Sequence, residues 1–252
     1  MSIKVRVFSL PKEGNDRDEY EDASAFDEAC KRLALADGAS DAFEARLWAC
    51  ALTESFVKEP PIFTRDSILA WLALPIESWN AGIQWDKLPW YAEEKARRGS
   101  FATLLGIKFS GSDQGDGDGN EESWNALALG DSCLFHCREK VVVASFPVTK
   151  ADEFGTTPWL LSTKREYSER SLYGLKVETG KWKTGDLIVL CTDAFAAWLL
   201  DRKEDTNNFC CGLGELSQED FESLVKQARH SREMKNDDVT VMTVCNKLSD
   251  YI

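Results

Sequence analysis

The sequence has only two histidines, His136 and His230. Neither belongs to a recognisable Ser-His-Asp or Cys-His pattern, so catalysis through an activated serine or cysteine is poorly supported. We interpret His230, at a polar helix end, as a solvated side chain. Phosphate-binding loops are missing as well, because the chain contains neither G-x-x-x-x-G-K-[ST] nor G-x-G-x-x-G after a predicted strand. The chain therefore lacks the sequence marks of many nucleophile-based and nucleotide-binding enzymes.

Long apolar runs and positive charge are also scarce. No apolar run reaches the roughly 20 residues that cross a bilayer, and the N-terminus has no signal-peptide core. The 30 Lys and Arg residues face 43 Asp and Glu residues, and the net charge of −13 argues against nonspecific binding to nucleic acid or to an anionic membrane. The eight cysteines include no C-x-x-C pair, which argues against a zinc site. We expect a soluble, reduced, cytoplasmic protein with no nucleic-acid or membrane partner.

The apolar residues that are present suffice for a sizeable core, since they make up 43% of the 252 residues and include nine Trp and 13 Phe. No linker is evident, so we predict a single domain, 1–252. Predicted helices fall into two groups with most strands between or beside them, which favours an α+β architecture. The predicted strands are 3–8, 33–36, 101–109, 124–129, 133–135, 141–145, 187–192 and 239–244. The predicted helices are 64–74, 90–98, 194–200, 218–232 and one that begins at 41 with a capping box of Asp41 and Glu44.

An acidic, glycine-rich segment at 113–122 is similar to part of a calcium-binding loop. Asp116, Asp118 and Asn120 match the first three ligand positions of an EF-hand. Glu121 stands where that loop needs glycine, and Leu127 stands where it needs glutamate. We interpret the segment as a solvated hairpin loop.

Four aspartates, Asp22, Asp37, Asp193 and Asp237, are embedded in or flank short apolar stretches spread over most of the chain. The last three close or flank a run that is typical of a buried strand. A carboxylate at such a strand end is costly unless a charge neutralises it. Each one alone has a simpler explanation, since Asp-Gly after a strand is usually a turn. As a set, they suggest one hard divalent cation or a pair.

Six short segments follow one another in a characteristic order. They read R-D-E-Y-E-D at 17–22, L-A-D-G-A-S at 35–40, G-S-F-A-T-L-L at 99–105, L-G-D-S at 129–132, G-D-L-I-V-L-C-T-D at 185–193 and N-D-D-V-T-V at 236–241. Each segment alone is a weak signal. Together, over residues 17–241, they resemble the motifs of the metal-dependent protein phosphatase 2C family, in its bacterial-type serine/threonine members.

The resemblance implies an α+β fold, built as a four-layer α-β-β-α sandwich of two antiparallel sheets flanked by helices. It implies an enzyme, a phosphoric monoester hydrolase that removes phosphate from serine or threonine of a phosphorylated protein in signalling. It implies two Mg²⁺ or Mn²⁺ ions at one end of the sheets, with a third ion as an additional site. Arg17 would bind the substrate phosphate, and Asp37 would bridge the two ions.

The resemblance assigns further ligands to this centre. The Gly38 carbonyl would complete the shell of one ion, and Asp193 and Asp237 would hold one of the metals. Glu21 and Asp22 would lie on the opposite side and bind partly through water. Asp131 would contribute to the third and weaker site.

The donor types agree with this chemistry on physical grounds. Mg²⁺ prefers carboxylate, carbonyl and water oxygens. A pair of divalent ions activates a shared water and stabilises the attacking and leaving oxygens. The planar fork of arginine suits a phosphate group. No protein nucleophile is needed, which agrees with the shortage of histidine.

Two segments depart from the family pattern. Residues 39–41, Ala-Ser-Asp, follow Asp-Gly where the family commonly has glycines or a histidine proposed as proton donor to the leaving group. Water or another acid would then protonate the leaving alkoxide, or turnover would be slow. Residues 192–194 read T-D-A in place of S-D-G, which is tolerated unless the third position requires a positive φ.

Besides an active phosphatase, two alternatives remain at this point. The first is a low-activity or inactive phosphatase-like module that binds a phospho-ligand or a protein partner. A second alternative is an interaction protein that docks a partner through the aromatic segment 71–91, although such residues more often pack in a core. The sequence predicts no oligomeric state. The aromatic residues of that segment are Trp71, Trp79, Trp85, Trp90 and Tyr91.

Overall fold

Two five-stranded antiparallel sheets form the centre of the molecule in the computed structural model, which describes residues 2–110, 122–155, 157–202 and 205–247. The first sheet has the order β1 (Ser2–Leu10), β12 (Val239–Lys247), β11 (Leu187–Cys191), β7 (Cys133–Arg138), β8 (Val141–Phe146). The second has the order β10 (Lys176–Trp182), β6 (Glu122–Leu129), β5 (Leu104–Ser110), β3 (Arg32–Ala36), β2 (Ala23–Asp27). A short pair joins β4 (Phe101–Ala102) to β9 (Leu161–Ser162).

The described helices flank these sheets. They are α1 (Ala45–Lys58), α2 (Arg65–Trp71), α3 (Ala73–Gly82), α4 (Trp90–Arg98), α5 (Arg165–Ser171), α6 (Asp193–Asp201), α7 (Thr206–Gly212) and α8 (Gln218–His230). Short 3-10 turns lie at Arg17–Glu19, Trp85–Lys87, Ala151–Glu153 and Leu172–Gly174. Within the described ranges, none of the helices has the length and apolarity that crossing a membrane would require. The α+β class and the two antiparallel sheets are confirmed.

Strand β11 is buried on both of its faces. All five of its residues are buried, and successive side chains point to opposite faces of a strand. Val189 and Cys191 join an apolar cluster that includes residues of α6, α7 and α8. Ile188 and Leu190 join a different cluster, whose members are all strand residues from both sheets. An uninterrupted apolar run is therefore needed here, because both faces of the strand are covered.

A third apolar cluster lies between the second sheet and the N-terminal helices. Trp48, Leu52 and Phe56 of α1 are fully buried in it, on one helical face. Burial of a large apolar side chain stabilises a fold by about 1.5–3 kcal/mol. The three clusters together hold the two sheets and their helices in place around the strand ends.

Helix α1 begins at Ala45 rather than at 41, so the predicted capping box is wrong. Glu44 occupies the N-cap position with φ 50° and makes no side-chain capping hydrogen bond. The chain just before it is already in a turn, because the Ala42 amide donates to the Ala39 carbonyl at 2.8 Å. The turn after Asp37 and Gly38 therefore delays the helix by one turn.

Two further predictions of single elements are corrected. The predicted helix 64–74 is two helices, because Pro75 has no amide hydrogen and its ring would clash with the carbonyl of Trp71, where α2 ends. The predicted strand 101–109 is interrupted at Thr103, whose amide donates to the Asp37 carbonyl at 2.9 Å. The sequence pattern also missed β2 and β10. Both are edge strands with a single buried residue each, Ala23 in β2 and Trp182 in β10, so neither shows a clear apolar alternation.

The aromatic segment 71–91 divides into buried and exposed parts. Trp71 and Trp79 are buried, and Trp79 packs edge-on against Phe43 and Trp85. Trp85 and Trp90 are exposed. The side chain of Tyr91 and the acidic segment 113–121 lie outside the described residues.

We expect Gly106→Ala to lower the free energy of unfolding by about 1–3 kcal/mol. A methyl group on Gly106 of β5 would lie 2.4 Å from the ring of Phe56, so the second sheet and α1 would have to separate. Urea unfolding followed by tryptophan fluorescence measures the change. Gly212→Ala is the matched control, because nothing lies within 4 Å of the added methyl group there. Equal stability of the two variants would contradict this packing.

Candidate metal centre

A cleft of about 850 Å³ opens where strand ends of the two sheets meet. Asp37 follows β3 and Asp131 follows β6, and these strands run in the same direction because β5 lies antiparallel between them. Asp193 follows β11 and Asp237 precedes β12, and the two strands are antiparallel neighbours. The fold therefore brings Asp37, Asp131, Asp193 and Asp237 into the lining of one cleft, together with Gly38.

Thr103 fixes the backbone of Asp37 from both sides. Its hydroxyl accepts a hydrogen bond from the Asp37 amide at 2.9 Å, and its own amide donates to the Asp37 carbonyl at 2.9 Å. The hydroxyl also lies 3.0 Å from that of Ser132, which follows Asp131 in the chain. The interruption between β4 and β5 thus connects two of the cleft aspartates.

Gly38 is buried where two backbone segments approach each other. A Cβ atom at this position would lie 2.7 Å from the Glu21 carbonyl oxygen and 3.0 Å from the Ala45 carbonyl oxygen. Only glycine avoids these overlaps without a shift of the backbone. The residue after Asp37 must therefore be glycine for close approach, whatever its φ.

Asp22 lies fully buried behind the cleft. Its Oδ2 accepts hydrogen bonds from the hydroxyls of Thr240 at 2.7 Å and Thr192 at 3.1 Å, and Tyr20 also hydrogen-bonds Thr240. Its Oδ1 is buried with no hydrogen-bond partner among the described residues. Burial, with a smaller contribution from Asp238, raises the pKa of Asp22 to about 8, against hydrogen bonds that lower it. The unsatisfied oxygen is one that a cation or a metal-bound water would satisfy.

The cleft carboxylates oppose one another's ionisation. Burial raises the pKa of Asp37 well above its usual value, and the nearby charges of Asp22, Asp193, Asp237 and Asp131 raise it further. Burial, followed by the charge of Asp193, raises the pKa of Asp131 to about 6. The pKa of Asp193 is also raised, first by burial. The cluster therefore holds more negative charge than the chain neutralises there.

Lys235 supplies the counter-charge nearest to this cluster, and the sequence analysis missed it. Its Nζ lies 2.5 Å from Asp237 Oδ2 and 3.8 Å from Asp193 Oδ2. The hydrogen bond to Asp237 is the largest cause of a raised pKa of Lys235. The only sequence signal for this contact is a basic residue two positions before Asp237.

A hard divalent cation fits these residues. The donors are carboxylate and carbonyl oxygens, Asp22 Oδ1 is unsatisfied, and the Lys235 ammonium lies between two of the predicted ligands. In the described part of the chain, however, no three His, Cys, Asp or Glu side chains are already arranged as a complete metal-binding group. The described arrangement is thus a cluster of acidic side chains rather than a preformed coordination shell.

Glu21 and Arg17 lie outside the lining of the cleft. The Glu21 amide donates to Asp238 Oδ2 at 2.7 Å, and its carboxylate lies 3.7 Å from Lys12 Nζ. Arg17 is exposed on its 3-10 turn, and its carbonyl accepts a hydrogen bond from Arg46 at 2.8 Å. The roles of Glu21 as a ligand and of Arg17 as phosphate anchor stay predictions.

Two buried charged residues hold the segment that carries Asp237. Asp238 accepts hydrogen bonds from the amides of Lys12 at 2.8 Å and Glu21 at 2.7 Å. Arg229 of α8 donates to the carbonyls of Pro11 at 2.8 Å and Asp237 at 2.6 Å. Both residues tie the start of β12 to the chain that follows β1. The sequence pattern indicates neither role, since Asp238 is only the neighbour of a predicted ligand and Arg229 lies on a helix.

No protein-family model matches the sequence, and no curated protein matches it either. Solved structures are similar to it over nearly the whole chain. The Mycobacterium tuberculosis serine/threonine phosphatase PstP/Ppp has a TM-score of 0.58 at 15% identity, over 98% of this chain and 100% of that chain. The serine/threonine phosphatase Stp1 from Staphylococcus aureus has a TM-score of 0.55 at 14% identity, over 98% and 96%. A PstP catalytic domain in complex with two manganese ions has a TM-score of 0.56 at 18% identity, over 97% and 98%.

At these identities the likeness shows the fold alone. The chain has the fold of serine/threonine phosphatases, which agrees with the resemblance of its six motifs to the protein phosphatase 2C family.

We expect the metal-free protein to lose stability as the pH rises. A carboxyl group whose pKa is higher in the folded state stabilises the fold while it is protonated. This contribution is complete below the ordinary aspartate pKa of 3.8, and it is lost as the pH passes about 6 for Asp131 and about 8 for Asp22. The free energy of unfolding, measured by urea titration with a chelator, should fall by roughly 5 kcal/mol between about pH 5 and pH 8.5.

The control for this experiment is Asp22→Asn, which keeps the shape and removes the titrating group. Its stability should depend less on pH than that of the wild type between about pH 4 and pH 8, the range over which Asp22 titrates. Parallel pH profiles for the two proteins would contradict the assignment of the raised pKa to Asp22.

Proposed function

We propose that this chain is a metal-dependent phosphoprotein phosphatase of the protein phosphatase 2C type, which hydrolyses phosphoserine or phosphothreonine. The observation that carries the proposal is the convergence of Asp37, Asp131, Asp193 and Asp237 in one cleft. The strand ends that bring them together belong to a fold shared with serine/threonine phosphatases over 97–98% of the chain.

The proposed cofactors are two Mg²⁺ or Mn²⁺ ions, with a third as an additional site. The similar PstP structure in complex with two manganese ions supports this choice. When bound, such ions supply an activated water and neutralise charge on the phosphoryl oxygens. The residues proposed to hold them are Asp37, Asp193, Asp237 and the Gly38 carbonyl, with Glu21 and Asp22 on the other side and Asp131 at the third site.

The chain's own residues orient the substrate and the ligands. Thr103 holds the backbone of Asp37, and Thr192 and Thr240 hold the carboxylate of Asp22. Arg17 is proposed to bind the phosphate of the substrate through its planar fork. Ala39 lines the cleft and offers no acid, so the leaving alkoxide takes its proton from water or from another acid of the cleft.

We also propose that residues 1–252 form one domain. Its layers would follow a helix–sheet–sheet–helix order, which the three separate apolar clusters support. Its partner is a phosphorylated protein, and a cytoplasmic location stays a prediction.

A low-activity or inactive phosphatase-like module is the second candidate. Ala39 favours it, because this residue stands where the family commonly has glycine or the histidine proposed as proton donor. Such a module would bind a phosphopeptide in the same cleft and release it unchanged.

We expect Mn²⁺-dependent hydrolysis of an aryl phosphate and of a phosphothreonine peptide by the wild type. Asp193→Asn should lower kcat by about a hundredfold or more, since it removes a proposed metal ligand. The control is Asp201→Asn, which removes another carboxylate of the cleft lining that has no proposed metal role.

Three outcomes separate the candidates. Activity that survives in Asp201→Asn and is lost in Asp193→Asn supports the enzyme. Mn²⁺-dependent binding of the phosphopeptide without turnover supports the module. No Mn²⁺-dependent activity above that of Asp193→Asn overturns the proposed enzyme.

A further inference from the structure

Lys235 is the only basic side chain among the described residues that line the cleft. Seven carboxyl groups share this lining with it, which makes its ammonium an isolated positive charge in an acidic surrounding. The carboxyl groups are those of Asp37, Asp41, Asp131, Asp193, Asp201, Glu233 and Asp237.

The ammonium of Lys235 lies between the two residues proposed to hold one metal. It is 2.5 Å from Asp237 Oδ2 and 3.8 Å from Asp193 Oδ2. A divalent ion bound to these carboxylates would use the same oxygens, at about 2.0–2.1 Å for Mg²⁺. Because like charges repel and the oxygens are shared, the ammonium and the ion exclude each other from this position.

The side chain of Lys235 is free to leave, whereas the backbone beside it is fixed. The side chain is 67% exposed, and within the described part of the chain it forms ion pairs with the two aspartates alone. The Asp237 amide donates to the Lys235 carbonyl at 3.1 Å, and Arg229 and Asp238 hold the following residues from behind. A lysine has a long, flexible stem, so the ammonium can turn toward solvent without a change in the backbone.

We propose that Lys235 is a tethered cation which occupies the Asp193–Asp237 position in the metal-free protein and withdraws when a divalent ion binds there. Lys235 thereby sets the metal concentration at which the centre fills. It also keeps the two carboxylates paired when metal is scarce. This inference rests on the proposed function, because it requires Asp193 and Asp237 to be metal ligands.

The test is calorimetric titration of the purified full chain with Mn²⁺ at fixed pH and ionic strength. We expect Lys235→Met to bind Mn²⁺ about fivefold more tightly than the wild type or better, the equivalent of one lost exposed ion pair. Lys235→Arg keeps the charge and should bind Mn²⁺ with nearly the wild-type affinity. The matched control is Lys226→Met, which removes a lysine of similar exposure, 64%, that pairs with Glu222 on α8.

Thermal melting gives a second readout that does not depend on activity. Without metal, Lys235→Met should melt about 2–4 °C below the wild type, because the two carboxylates lose their counter-charge. With saturating Mn²⁺ this difference should disappear or reverse, since the ion then replaces the ammonium. Lys226→Met should show the same shift, or none, with and without Mn²⁺.

The outcomes distinguish this inference from the proposed function. Equal Mn²⁺ affinity in Lys235→Met and the wild type, or weaker affinity in the variant, overturns the tethered cation and leaves the metal centre standing. No Mn²⁺ binding by any of the proteins overturns both. Tighter binding in Lys235→Met and not in Lys226→Met supports the inference.

Discussion

Repulsion among carboxylates is the constraint on which the rest of this structure depends. The fold places Asp22, Asp37, Asp131, Asp193 and Asp237 so close together that burial and mutual charge raise the pKa values of several of them. Such an arrangement opposes folding at neutral pH, and it persists because the surrounding framework is strong. Three apolar clusters provide that framework, one made of strand residues from both sheets and two in which strand residues join helix residues. The free energy gained by apolar burial thus offsets the cost of several carboxyl groups at the strand ends that have few positive partners.

Hydrogen bonds to backbone groups position the cleft residues, and the carboxylate side chains face the cleft. Thr103 fixes the backbone of Asp37, while Asp238 and Arg229 fix the segment around Asp237. These contacts are made to amides and carbonyls, so the cleft carboxylates stay available for ligands. Side chains around the cleft thus hold its segments through backbone groups and leave the cleft carboxylates with little counter-charge from the described residues. Lys235, exposed and flexible, is the exception that the chain itself provides.

The sequence predicts the part of this site that local patterns encode. Asp37, Asp193 and Asp237 flank apolar runs. A residue at the end of a strand lies where the strands of the sheet end, whichever neighbour that strand pairs with. Lys235 and Arg229 could not be predicted in the same way, because their contacts depend on the tertiary fold. Lys235 reaches Asp193 only where the ends of β11 and β12 lie side by side, and Arg229 reaches Pro11 only where α8 lies against the chain after β1. The edge strands β2 and β10 were missed because each has a single buried residue and so lacks a clear apolar alternation. The capping box failed because a turn made by Ala39 and Ala42 competes with the helix for the same residues.

Strand β12 lies between β1 and β11, and it is the sole described partner of β1 in the sheet. Among the described residues, β1 can therefore pair in the sheet only once residues 239–247 are in place. Thr240, which holds Asp22, and Asp237 arrive with that same strand. A nascent or incompletely folded chain thus carries its early carboxylates in water, where each remains separately hydrated. Any affinity of this cleft for metal is consequently a property of the finished fold, because Asp237 reaches the cleft only when β12 is paired with β11.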